Sequence, residues 1–210
     1  MADSEVELLP PEDVVLGARM VMGSIDLDPW SCTVQNKLVQ SARYYNRDQE
    51  DLDDICARDW DSRGERRAFL ALKGARPTRR VLNKLLREYR VGRVKEAVIW
   101  LQHNESLSRC PWLWNFPVCI PFKRLRPVWF NDEIESFRTF SPSAWSAVVY
   151  LPPSDDAEEY HTKLARFSAT FAEKGRIIHD ELNGLSDLDG DGDWEAGYKK
   201  ATGHAYNYRD

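Results

Sequence analysis

Two wholly apolar runs, Ala68-Phe69-Leu70-Ala71-Leu72 and Ala97-Val98-Ile99-Trp100-Leu101, constrain the fold more than any other feature of the chain. Each has the length of a strand and no polar face, which suits a strand covered on both sides. Between them Val81, Leu82, Leu85, Leu86 and Tyr89 repeat at helical spacing. Thr78 opens this predicted helix and Gly92 stops it. Strand, helix and strand in this order predict parallel strands joined by a crossover helix. Val118-Cys119-Ile120-Pro121-Phe122 and Ala147-Val148-Val149-Tyr150-Leu151 add two more strand candidates. The expected fold class is α/β, a sheet with flanking helices.

The upstream segment fits this pattern. Pro10-Pro11-Glu12-Asp13 reads as a helix start, with acids at the positive end of the dipole. Val14, Val15, Ala18 and Val21-Met22 form its apolar stripe, and Gly23 is a natural C-cap. Ile25-Asp26-Leu27-Asp28 is predicted as a short strand ending at Pro29, and residues 33–45 as a helix. Residues 46–62 are polar and predicted to be irregular, and residues 106–115 to hold a short helix. The expected division is 1–152 as an α/β domain, 153–182 as a C-terminal helix and 183–210 as an acidic flexible tail.

Composition narrows the class of partner. The chain of 210 residues carries a net charge of −5, which argues against a wholly basic nucleic-acid binder. The charge is uneven, however. Residues 63–95 hold a dense set of Arg and Lys, either a local phosphate-binding face or a solvated helix face. Cys32, Cys56, Cys110 and Cys119 form no C-x-x-C pair, so reduced thiols and no zinc site are expected. The acidic start offers no signal sequence, and no apolar run reaches the roughly 18 residues of a membrane span. A cytoplasmic location, in a bacterial or phage-infected cell, is the expectation.

The order of motifs resembles the phage-type DNA N-6-adenine methyltransferase family. The resemblance rests on a helix opening with Pro-Pro-Glu, then Ile-Asp-Leu-Asp-Pro, then a helix ending in Ala-Arg-Tyr-Tyr. It continues through Leu101-Gln102-His103-Asn104-Glu105-Ser106 with a Trp-rich segment, Val118-Cys119-Ile120-Pro121-Phe122-Lys123-Arg124-Leu125, and Ser141-Pro142 before Ala147-Val148-Val149-Tyr150-Leu151. It implies a Rossmann-like methyltransferase sheet, S-adenosylmethionine as methyl donor and adenine in double-stranded DNA as acceptor. Asp26 and Asp28, beside the rigid Pro29, would then contact the cofactor from the carboxyl end of a strand. Asp-Pro as a plain strand cap and turn is the other reading.

The family's base-holding motif, Asn-Pro-Pro-Tyr or a close variant, falls on Ala71, Leu72, Lys73 and Gly74. Adenine N6 is a weak nucleophile because its lone pair is delocalised into the ring. A side-chain carbonyl with a backbone carbonyl accepts its two hydrogens, and an aromatic ring stacks on the flipped base. Ala71 offers no acceptor and Gly74 no ring. The first loss costs about 3–4 kcal/mol in a transition state, and lost stacking adds about 1–3 kcal/mol.

Asn104, after the strand at 97–101, is a substitute acceptor or an ordinary turn residue. Trp112 and Trp114 are stacking residues or core. Arg76, Arg79 and Arg80, near a helix start, would meet DNA phosphates. Asp187, Asp189, Asp191 and Gly192 resemble the start of a calcium loop, but Tyr198 stands where a bidentate Glu is needed, so the tail reading is preferred and no metal site is expected. Three readings stay open: an active methyltransferase with an unusual acceptor, a degenerate relative that binds DNA or cofactor without methyl transfer, and a relative acting on another substrate.

Overall fold

A computed structural model describes residues 7–60, 66–73, 75–142 and 144–179, with the side chains of 75–77 excepted. The expected acidic tail and the calcium-loop resemblance lie outside the described residues.

The chain enters α1 (Glu12–Met22), which has Glu12 and Asp13 in its first turn. Gly23 ends it with φ of 90°, a conformation that L side chains resist. The next strand is β1 (Leu27–Ser31). It starts two residues later than the sequence suggests and runs through Pro29. This is tolerated because the ladder to its neighbour is irregular between Asp28 and Ser31, where proline's missing N–H is not needed.

The helix expected over 33–45 divides. α2 (Thr33–Val39) stops where Gln40 turns left-handed, at φ of 47°. The Asn36 carboxamide then accepts from the backbone and hydroxyl of Ser41. The aromatic residues that follow form β2 (Arg43–Asn46). The polar stretch beyond holds α3 (Leu52–Ala57), anchored by buried Ile55. Trp60 is also fully buried, with its indole N–H on the Ile55 carbonyl at 3.1 Å.

β3 (Arg67–Leu72), α4 (Ala75–Arg90) and β4 (Glu96–Leu101) bear out the central prediction. α5 (Glu105–Arg109) leads into a 3-10 turn over Pro111–Asn115 and then β5 (Val118–Pro121). A hairpin of β6 (Val128–Asn131) and β7 (Ser136–Thr139) precedes β8 (Ala147–Leu151). The helix expected over 153–182 is shorter, α6 (Ala157–Phe171), and within the same range β9 (Gly175–Ile178) is a strand that pairs with β5, so the sheet extends past residue 152. The chain approaches β5 so closely at Gly175 that a Cβ there would lie 2.3 Å from the Ile120 carbonyl oxygen.

The main sheet has the order β2-β1-β3-β4-β8-β5-β9. β2, β1, β3 and β4 are parallel to one another. β8 is antiparallel to both β4 and β5, and β9 is antiparallel to β5. Only β8 and β9 therefore run against the others. Alternate residues supply two cores. Ala68, Leu70 and Leu72 pack with α4 on one face, while Phe69 and Ala71 pack with residues of α1, α2 and α6 on the other. The result is a mixed α/β, three-layer architecture with a mostly parallel central sheet.

Candidate functional site

From β1 the chain passes to β2 on one side and then to β3 on the other, which makes the carboxyl ends of β1 and β3 a topological switch point. Ser31 and Cys32 emerge there from β1, Arg47 from β2 and Lys73 from β3. The N-terminal segment crosses the same edge, and Leu9 fixes it by exchanging backbone hydrogen bonds with Val128 at 2.7 and 3.2 Å.

Five polar side chains are linked in series at this edge, in the order Lys73, Glu7, Arg47, Gln35 and Asp28. The Glu7 carboxylate pairs with the Arg47 guanidinium and, at 3.2 Å, with the Lys73 ammonium. Lys73 also donates to the Leu8 carbonyl. Arg47 donates to the Trp30 carbonyl at 3.1 Å and the Gln35 carboxamide oxygen at 3.2 Å. Gln35 in turn donates to Asp28 at 2.8 Å. The Cys32 thiol lies 3.4 Å from Glu7. Burial increases inward: Glu7 is 39% exposed, Lys73 21% and Arg47 10%, and Gln35 and Asp28 are fully enclosed.

These surroundings set the protonation states. Burial alone would raise the Glu7 carboxyl, but Arg47 and Lys73 outweigh it and hold it below its ordinary value. Burial and then the Arg47 charge lower the Lys73 ammonium. Burial pushes Asp28 up to about 6, against the opposing pull of hydrogen bonds from Gln35 and Ser31. Burial also raises the Cys32 thiol, which therefore stays protonated at neutral pH.

The structure separates the residues expected to hold a cofactor. Asp28 lies in β1 and points into the interior, occupied by Gln35 and the Trp30 N–H at 3.3 Å. Pro29 sits within the strand and not at its end. Asp26 precedes the strand, at the amino edge. Its two oxygens bind the Arg67 guanidinium at 2.7 and 2.8 Å. The displacement follows from the start of β1 at Leu27: Asp26 pairs with the first residue of β3 instead of looking out over its end.

Ala71 is fully buried under the α1, α2 and α6 face, and Leu72 faces the opposite core. Lys73 is the first residue beyond β3. Gly74 lies outside the described residues. Asn104 is half-buried just past β4, and its backbone N–H donates to Trp145 at 2.8 Å. Trp112 is buried against Phe116, while Trp114 is 41% exposed.

Of the three arginines expected to meet DNA, Arg80 is exposed and paired with Asp53. Arg79 is half-buried, and the Arg76 side chain lies outside the described residues. Much of the basic run is engaged within the molecule. Lys84 and Glu88 form a buried pair at 2.5 Å, Arg93 reaches Asp59 at 2.7 Å, and Lys95 reaches Glu159 at 2.7 Å.

Sequence reading missed Glu7, Arg47 and Gln35. A strand at 43–46 would have placed Arg47 at the carboxyl edge. No sequence pattern brings Glu7 to Lys73, 66 positions away.

The opposite edge holds a cleft of about 310 Å³ lined by Asp26, Arg66, Arg67, Lys95, Glu96, Glu159 and Lys163 with Met22. Three of its four cations are paired with carboxylates of the framework, and the fourth, Arg66, donates to the Gly92 carbonyl at 2.9 Å. Besides the Asp26–Arg67 pair, Lys163 reaches both Glu96 oxygens at 3.0 and 3.1 Å. The Tyr150 hydroxyl donates to Glu96 at 2.5 Å. Burial and the neighbouring Glu96 carboxylate push the Tyr150 phenol far above its usual range.

Among the described residues no cluster of His, Cys, Asp and Glu could hold a metal ion, and no helix is long and apolar enough to cross a membrane. No family model matches the chain, and neither a curated protein nor a solved structure does.

Proposed function

We propose that this chain is a degenerate relative of the phage-type DNA adenine-N6 methyltransferases, a Rossmann-like protein that binds DNA or S-adenosylmethionine without transferring a methyl group. One observation carries the reading. At the end of β3, where the resemblance places the acceptor for adenine N6, the chain has the buried methyl of Ala71 and then the Lys73 ammonium. An ammonium has donors only and cannot accept the N6 hydrogens. Lys73 is also tied to Glu7 and the Leu8 carbonyl, across the space a flipped base would enter.

The fit to the cofactor is partial. Arg47 and Lys73 suit its carboxylate, whereas Asp28 is enclosed and turned away from any ribose. When bound, the cofactor would supply an electrophilic methyl group. The chain's own residues would only seat its charged end. Arg80, whose pairing with Asp53 is solvent-exposed, remains free to exchange partners with a DNA phosphate.

A second reading has its own support. Asn104 follows β4, the neighbour of β3, and the Gln102 N–H donates to the Leu72 carbonyl at 3.1 Å. Its carboxamide would be the acceptor in an active enzyme. Incubation with tritiated S-adenosylmethionine and unmethylated bacterial or phage DNA separates the readings. We expect no label in adenine, with cofactor or DNA binding detected by calorimetry. Label in adenine that disappears in Asn104→Ala overturns the degenerate reading. Absence of both kinds of binding overturns both.

A further inference from the structure

We propose that Arg47 and Lys73 form an anion-binding seat for the carboxylate or phosphate group of a small ligand, and that Glu7 is a tethered occupant which such a ligand replaces. The cofactor reading uses the same two cations for the cofactor's carboxylate, but the inference requires only the charge and shape of the seat and not that cofactor.

The seat is built from the inside outward. Arg47 is fixed by the Trp30 carbonyl and Gln35, and Gln35 is fixed by Asp28. Only the guanidinium face toward Glu7 remains for an outer partner. Lys73 stands beside it on the neighbouring side of the switch point, close enough for the Arg47 charge to lower its ammonium. Two cations in a largely buried position repel each other unless an anion lies between them. Glu7 is that anion, yet it brings one negative charge to two positive ones.

Among the described residues the other groups at the seat do not complete the match. The Cys32 thiol is neutral, and Asp28, though within electrostatic reach of Arg47, lies behind Gln35 and contacts neither cation. Glu7 is also the most exposed of the three ions. It comes from a segment anchored through Leu9, so it can leave while the seat keeps its shape. The Arg47 Nη2 and the adjacent Lys73 ammonium converge on one Glu7 oxygen, and such a pair of cationic donors recognises carboxylate and phosphate oxygens alike.

The test uses the full chain with inorganic phosphate and with acetate, each titrated by calorimetry against chloride at matched ionic strength. A tethered competitor acts at millimolar effective concentration or above, so Glu7→Gln should tighten anion binding about tenfold or more. The gain should vanish in the double variant E7Q/R47Q, or in E7Q/K73Q if the first does not fold by circular dichroism. A gain for phosphate assigns the seat to phosphate-bearing ligands, and a gain for acetate alone assigns it to carboxylates. Equal binding by folded wild-type and E7Q protein overturns the proposal. So does a gain that survives loss of either cation, since the anion would then bind elsewhere. Failure of S-adenosylmethionine to bind any of these proteins would count against the cofactor reading and leave the phosphate and acetate result intact.

Discussion

The two edges of the sheet carry similar residues in different arrangements. At the amino edge Asp26 meets Arg67, Glu96 meets Lys163 and Tyr150, and Glu159 meets Lys95. Most of these partners belong to β3, β4, β8 or α6, or immediately precede β1 or β4. The most enclosed of them is the Lys163–Glu96 pair, whose side chains are 14% and 4% exposed. At the carboxyl edge Arg47 and Lys73 share, among the described residues, a single outer carboxylate, and it comes from the segment before α1. Charge that is matched within the framework acts as a staple. Charge that is matched by a peripheral residue acts as a seat. The cleft of about 310 Å³ lies at the stapled edge.

The largest test of this contrast is Lys163→Ala. It would leave Glu96 buried, with Tyr150 as its only remaining hydrogen-bond partner among those described. Removing one member of a buried pair costs about 3–5 kcal/mol. A fall of that size in urea unfolding is expected, and a loss below about 1 kcal/mol, as for an exposed pair, would show that this edge is no staple.

Asp28 gives the next effect, through pH. Its folded value of about 6 exceeds the ordinary 3.8, so between these values the folded state holds a proton that the unfolded state has released. Stability is therefore highest below pH 4 with respect to this group and declines as pH rises toward 6. The shift corresponds to a loss of about 3 kcal/mol. Asp28→Asn should remove the decline between pH 4 and 6 in unfolding experiments. A wild-type curve that is flat or rising in this window, after correction by the Asn variant, would contradict the enclosed environment of Asp28.

The smallest effect is expected for Glu7→Gln. Glu7 is more than a third exposed, so its pairing is screened by solvent and its loss should change stability by less than about 1 kcal/mol. A cost equal to that of Lys163→Ala would erase the distinction between the edges and make Glu7 a structural residue.

Some of this architecture was legible from pattern alone. β3, β4, β5, β8, α1 and α4 each announce themselves by an uninterrupted apolar run or a helical stripe. Their burial on both faces or on one face leaves little choice of element. β2, β9 and the β6–β7 hairpin did not. Each strand is four residues long, and β2 and β9 lie at the two borders of the sheet, where alternation is weak. Arg43-Tyr44-Tyr45-Asn46 reads equally well as the end of a helix. Gln40 and the Asn36–Ser41 contacts decide otherwise.

The candidate site divides in the same way. The sequence by itself determined that a strand ends at Leu72 with no acceptor and no aromatic ring beyond it, because five apolar residues in a row leave no other reading. It also placed Asp28 in that neighbourhood. Only the tertiary structure decided that Asp26 faces the other edge, since a shift of two residues in the start of β1 carries it from one end of the strand to the other. Only the tertiary structure joined Glu7, Arg47 and Lys73, which lie 40 and 66 positions from Glu7 along the chain. Such a meeting depends on strand order, and strand order is set by which faces the helices cover, not by any local run of residues.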